Sequence, residues 1–182
     1  GTRGVYWNSI NPSPSAELKQ IDTIQINTTG NSTDFGDSTI EAGIRGACGS
    51  RTRGICAGGY NSHPTADTID FITYSSTGNA TDFGNGTVAR RAPAGCSSET
   101  RGLTMGGFAA PTQVDVIDYI TIASTGNAVD YGDMSNGSSG NQCSSSPTRG
   151  VIMGGTAPSN LAPGAGALET NVIQYSTIAS TG

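Results

Sequence analysis

The side chains most able to do chemistry in this 182-residue chain recur at fixed places. Asp34, Asp37, Asp82, Asp130 and Asp133 stand in the phrases "DFGD", "DFGN" and "DYGD". Clustered carboxylate and backbone oxygens in β-loops are what a Ca²⁺ ion needs. Here the carboxylates are too sparse for a dedicated loop, and Asn85 replaces the second acid of one phrase. Turn capping is the expected role, because Asp side chains bond backbone amides two residues on. A second set, Asp22, Asp70 and Asp118, recurs every 48 residues. Acid–base catalysis needs two such groups converging in one pocket with separated pKa values. Strict recurrence instead spreads them one per repeat, so a structural role is expected and no catalytic residue is assigned.

His63, in "NSHPT", is the single histidine. It has no partners at zinc-ligand spacing. A Ser-His-Asp triad through it stays open on sequence grounds, without a G-x-S-x-G elbow to support one. It reads first as a surface-loop residue. Of the four cysteines, Cys48, Cys96 and Cys143 fall at intervals of 48 and 47, which suggests one repeated small core position. Cys48 and Cys56 flank a short turn and are a candidate cross-strand disulfide. Sequons at Asn27, Asn31, Asn79, Asn85 and Asn136 would be glycan sites only in a secreted eukaryotic chain. No metal or cofactor is expected.

The elements that position these residues are repeats. The triplet Thr-Arg-Gly begins at residues 2, 52, 100 and 148, at intervals of 50, 48 and 48. The phrases "NTTG", "SSTG", "ASTG" and "ASTG" end at Gly30, Gly78, Gly126 and Gly182. "TDFG", "TDFG" and "VDYG" start at Thr33, Thr81 and Val129. Recurrence at such a period signals a solenoid, propeller or array. The units are 2–51, 52–99, 100–147 and an incomplete 148–182. Each reads as four short strands. One instance of each is Ile44–Ser50, Gly54–Gly58, the alternating run Thr68–Tyr74, and the strand of "ATDFG". Helix signals are nearly absent; Ser15–Lys19 could supply one turn.

A four-stranded unit of this length must stack on neighbours to bury its faces. Ala57-Gly58-Gly59-Tyr60 and Met105-Gly106-Gly107-Phe108 end the second strands. Phe71, Tyr119 and Tyr175 follow in the third, then Phe83 and Tyr131 in the fourth. This order resembles the kelch motif, with Phe or Tyr where that motif has Trp, and with Tyr6-Trp7-Asn8 where the first unit should carry its glycines. The resemblance implies an all-β fold of kelch-like β-propeller blades, four antiparallel strands in about 48 residues, here as a fragment of a longer array. The wording around "STGNATDFGD" is also similar to phage-encoded kelch-like proteins. That likeness implies a virion fibre or surface appendage.

Composition limits the partners. Net charge is −5, and no basic cluster exceeds Arg90-Arg91, so nucleic acid is not an expected partner. No apolar run approaches the ~20 residues of a membrane span. The segments after the glycine pairs vary most, and loops on a constant frame are where binding resides. Trp7, Tyr60, His63 and Phe108 are therefore the ligand-binding candidates, with sugar stacking weighed against packing between blades. The expected function is a non-enzymatic structural or adhesion module, in a virion or extracellular, contacting host-surface glycan or neighbouring subunits. The alternatives are an intracellular kelch-type protein-interaction propeller and a galactose-oxidase-like or sialidase-like propeller enzyme.

Overall fold

A computed structural model describes residues 1–7, 10–12, 15–60, 65–158 and 168–179. The described residues form strands and turns, with no helix. Alternation of apolar and polar residues sets the long strands, and Gly-, Ser- and Asn-rich stretches turn the chain between them.

Four antiparallel sheets follow one another along the chain. The first contains β1 (Arg3–Trp7), β4 (Gln20–Gln25) and β5 (Thr33–Asp37), with β2 (Ile10–Pro12) and β3 (Ser15–Glu17) forming a separate hairpin. The second is β6 (Gly46–Gly49), β7 (Arg53–Ala57), β8 (Thr68–Thr73) and β9 (Thr81–Asn85). The third is β10 (Ala94–Ser97), β11 (Arg101–Met105), β14 (Val116–Thr121) and β15 (Val129–Asp133), with a hairpin of β12 (Phe108–Ala109) and β13 (Thr112–Gln113). The fourth is β16 (Gln142–Ser145), β17 (Arg149–Met153) and β20 (Ile173–Thr177), with a hairpin of β18 (Thr156–Ala157) and β19 (Leu168–Glu169). The expected four-stranded meander is present in the middle two sheets. Among the described residues the outer two sheets have three strands each. The helical turn expected at Ser15–Lys19 is a correction. Ser15–Glu17 pairs with Ile10–Pro12, because the adjacent Pro-rich stretch favours extended backbone and β2 offers it a ladder.

The hydrophobic clusters lie between successive sheets. Ile21 and Phe35 of the first pack with Ile72 of the second. Ile55, Ile69 and Phe83 of the second meet Ile120 and Ile122 of the third. Leu103, Met105 and Tyr131 of the third meet Ile152 and Ile178 of the fourth. Neither face of a sheet this small can be covered from within, so each aromatic is buried by the next unit. One such ring contributes roughly 1.5–3 kcal/mol.

The outer strands deliver these rings through a β-bulge. Ile69 pairs with Gly84 and Asp70 with Asp82, so Phe83 is the extra residue and turns inward. The same shift places Phe35 and Tyr131. The preceding aspartate then accepts the amide of the glycine two residues on, at 3.0 Å for Asp34 and Asp82 and 3.1 Å for Asp130. The glycine has φ of +144° at Gly84, where a Cβ would stand 2.4 Å from the carbonyl oxygen of Gly126.

Register corrects two readings of the cysteines. Cys48 lies opposite Ile55, and Cys56 opposite Ala47. The two thiols therefore project to opposite faces, and both are free. Cys143 is likewise not equivalent to Cys96. Cys96 faces Leu103, whereas Cys143 faces Ile152, one residue out of phase. The interval of 47 instead of 48 turns Cys143 back toward the third sheet, where it packs against the cluster that contains Cys96.

Candidate functional site

The recurring acids and arginines meet at the centre of each complete sheet. Asp70 on β8 is fully buried, and Arg45 reaches it with Nη1 at 2.8 Å. Arg45 also donates from Nε to the Gly58 carbonyl at 2.8 Å and from Nη2 to the Cys56 and Thr68 carbonyls at 3.3 Å. Thr39 completes the carboxylate: its hydroxyl donates to Oδ1 at 2.5 Å and its amide to Oδ2 at 3.4 Å. In the third sheet Arg90 donates to Asp118 at 2.9 Å, and Thr87 donates twice, at 2.5 and 3.1 Å. Burial pulls the Arg90 guanidinium below its ordinary pKa, and the Asp118 carboxylate pushes it back.

The two arginines come from different repeat positions. By the register of β6 and β10, Pro93 stands where Arg45 would recur, and Arg90 stands at the position of Ala42. The acid and its threonine keep the 48-residue interval; the cation does not. Its stem needs only a path across the glycine pair. A Cβ on Gly59 would lie 2.9 Å from Arg45 Cγ, and one on Gly107 would lie 3.2 Å from Arg90 Cδ. The glycine pair is thus the floor on which the buried arginine lies. In the fourth sheet Asn141 occupies the Arg45 position and donates to Gly154, while Gln174 replaces the acid. Ser135 donates its amide to Gln174 Oε1 at 2.7 Å, as Thr39 does to Asp70. These acids are saturated with donors and lie in separate sheets, so no pair converges for proton transfer. Among the described residues no three His, Cys, Asp or Glu side chains gather as a metal site.

The Thr-Arg-Gly triplet is a fastener between sheets. Arg3, Arg53 and Arg101 donate to the carbonyls of Tyr74, Ile122 and Ile178, each at the end of the next sheet's third strand, at 3.0, 2.8 and 3.0 Å. The same guanidinium lies over the aromatic of its own sheet: Arg53 on Phe71 at 4.5 Å, Arg101 on Tyr119 at 4.4 Å, Arg149 on Tyr175 at 4.3 Å. The triplet glycine leaves room for the preceding sheet's thiol. A Cβ would sit 2.9 Å from Cys48 Sγ at Gly102 and 2.4 Å from Cys96 Sγ at Gly150.

The ligand-binding candidates separate in space. Tyr60 and Phe108 hold equivalent places after the glycine pairs and share Arg91, whose guanidinium lies 4.9 and 4.7 Å from the two ring centres. Both rings are half-buried. Trp7 is not their equivalent. It is the last residue of β1, opposite Ile21, where Ala57 and Met105 stand in the next two sheets. It packs against Ile21, Phe35 and Ile72, and its Nε1 is buried without a hydrogen-bond partner among the described residues. His63 lies outside the described residues, as does residues 159–167 of the long fourth loop.

A groove that sequence reasoning missed opens at the opposite end of the sheets. It encloses 1130 Å³ and is lined by the turns between first and second strands, with Ser50, Ser98, Ser146, Arg51, Glu99 and Tyr74 on its walls. Serine hydroxyls staple the strands beneath it. Ser97 donates to the Gly49 carbonyl at 2.6 Å and accepts the Gly49 amide at 3.1 Å; Ser145 donates to Ser97 at 2.8 Å. Arg51 and Glu99 pair across the rim at 3.1 Å, both exposed. The signal was present as "GSRT", "SSET" and "SSPT" at one interval, but turns carry no cue that they assemble side by side. The rim of the groove presents serine hydroxyls and the Arg51–Glu99 pair, which suits hydrogen bonding to polar ligands. In comparisons with known proteins, the chain matches no protein family and shows no significant similarity to a curated protein.

Proposed function

We propose that the chain is a stretch of kelch-like propeller blades serving as a non-enzymatic structural or adhesion module of a virion fibre or other extracellular assembly. One observation supports this above others: nearly every recurring polar side chain is engaged in fastening one sheet to itself or to the next. Asp70 and Asp118 hold arginines, Arg53 and Arg101 cross to the following sheet, and Ser97 and Ser145 staple inner strands. Little reactive functionality remains, while the segments after the glycine pairs differ from unit to unit. Radial stacking of meanders about their first strands accounts for the close approach of β6 to β10 and of β10 to β16. The ligand class is host-surface glycan, taken by the variable loops around Tyr60 and Phe108 or by the hydroxyl-lined groove.

The test is a surface-glycan array probed with the labelled chain. Retention on a defined polysaccharide is the expected result. It should fall at least tenfold when residues 60–67 are replaced by a Gly/Ser linker or when Ser98 and Ser146 are both changed to Val. Failure to retain any glycan sinks the adhesion reading and leaves subunit contact alone.

A further inference from the structure

We propose that Cys96 and Cys143 are a disulfide-forming pair that covalently fastens the third sheet to the fourth, with hydrogen peroxide as the oxidant. The pairing follows from how the first strands stack. Ser97 Oγ on β10 donates to the Gly49 carbonyl at 2.6 Å and accepts the Gly49 amide at 3.1 Å, so this face of β10 is turned toward β6. Gly95 lies two residues earlier on the same face, and a Cβ there would stand 2.4 Å from the Ala47 carbonyl oxygen. β16 repeats the arrangement against β10. Ser145 Oγ donates to the Ser97 carbonyl at 2.8 Å and accepts the Ser97 amide at 3.3 Å. The same step of two residues sets Cys143 against Gly95, the neighbour of Cys96.

Cys96 approaches from the other side. It points forward, since a Cβ on Gly150 of β17 would meet its Sγ at 2.4 Å. The forward side chain of Cys96 and the backward side chain of Cys143 therefore enter one seam. Cys96 is part of the cluster with Ile152 and Ile178, and Cys143 packs against that cluster. A disulfide asks for Cα atoms about 4.4–6.8 Å apart. Main chains that one serine hydroxyl bridges run at such a spacing. Each thiol is also the largest influence on the other's ionisation, with Cys96 pulled down and Cys143 pushed up. The seam between the second and third sheets is a built-in control. Cys48 points forward there to Gly102, but Gly95 holds the place of Cys143 and brings no thiol.

Cys96 is buried and Cys143 half-buried, so a small oxidant suits the site. One thiolate attacks the O–O bond of the peroxide, giving a sulfenic acid and a hydroxide that takes up the proton the thiol released. The second thiol attacks the sulfenic sulfur, the S–S bond forms, and water leaves with that thiol's proton. The two thiols lose two electrons, and the peroxide gains them and becomes two waters.

The folded chain is treated with stoichiometric hydrogen peroxide, alkylated in denaturant and cleaved after Arg and Lys. Cleavage puts the four cysteines on four peptides, 46–51, 54–90, 92–101 and 102–149. The expected product links 92–101 to 102–149, is split by reductant, and forms at least tenfold faster in the folded chain than in concentrated urea. The melting temperature should rise by about 5–15 °C and return on reduction. Cys143→Gly, which restores the residue of the Gly95 place, should abolish the link in a chain that still folds. Cys48→Ser should leave it intact. The proposal is overturned if 92–101 links mainly to 46–51, or if the thiols stop at sulfenic or sulfinic acid. It is equally overturned if folding gives no rate advantage, or if the cross-linked chain melts no higher than the reduced one.

Discussion

The second and fourth sheets solve the same problem with different chemistry. In the second, a buried Arg45–Asp70 ion pair joins the linker, the glycine pair and the third strand. In the fourth, Asn141 and Gln174 stand in those two places and make the corresponding bonds to Gly154 and Ser135 with no formal charge. Between these two sheets cation and anion are replaced together. That is what electrostatics demands, because a lone charge in a dry interior is far more costly than a neutral pair. The third sheet adds that the cation's point of origin is free, since Arg90 reaches Asp118 from a non-equivalent position. Geometry at the carboxylate, and not the linker sequence, is what the second and third sheets share.

The largest expected effect breaks this comparison directly. Asp70→Ala strands the Arg45 charge and should lower stability by about 3–5 kcal/mol. Gln174→Ala removes a neutral acceptor at a more open site and should lose about 1 kcal/mol. Urea denaturation of the two variants measures the difference. The double change Arg45→Asn with Asp70→Gln copies the fourth sheet into the second and should be less damaging than Asp70→Ala alone. If it is worse, the neutral pair is not a substitute for the ionic one.

A second contrast concerns glycines of similar backbone. Gly84→Ala forces a Cβ to 2.4 Å from the Gly126 carbonyl oxygen and should cost about 1–3 kcal/mol. Gly78→Ala, at φ +140° with open space around it, should lower thermal stability less. Equal losses would mean that conformation, and not contact between units, governs the outer strands.

The thiols of the second sheet sharpen the picture through pH. Burial raises Cys48 from 9.0 to about 12 and Cys56 from 9.0 to about 11. The unfolded chain releases these protons near the ordinary thiol value, whereas the folded chain retains them. Stability is therefore full below pH 9 and falls as pH rises from there to about 11–12. The slope is on the order of 1 kcal/mol per pH unit for each thiol. Thiol labelling at pH 8 should leave both unmodified in the folded chain. The smallest effect belongs to the exposed Arg51–Glu99 pair, whose loss in Arg51→Ala should stay within about 0.5 kcal/mol and vanish in high salt.

The sequence by itself determined the all-β character, the approximate strands and the acids that would be structural. Periodicity and turn chemistry are local properties, and Asp34, Asp82 and Asp130 cap amides two residues away. Neither the ion pairs nor the groove was legible in that way. Arg45 and Arg90 do not recur at one interval, so no repeat alignment pairs them with Asp70 and Asp118. The cysteines illustrate the limit most sharply. A spacing of 47 in place of 48 looks like noise along the chain, yet in a pleated strand one residue reverses the face, and Cys143 meets Cys96 instead of following it. Tertiary structure alone decided which side chains cross between sheets, because that depends on register and on the stacking of neighbours, and neither is encoded in any single unit.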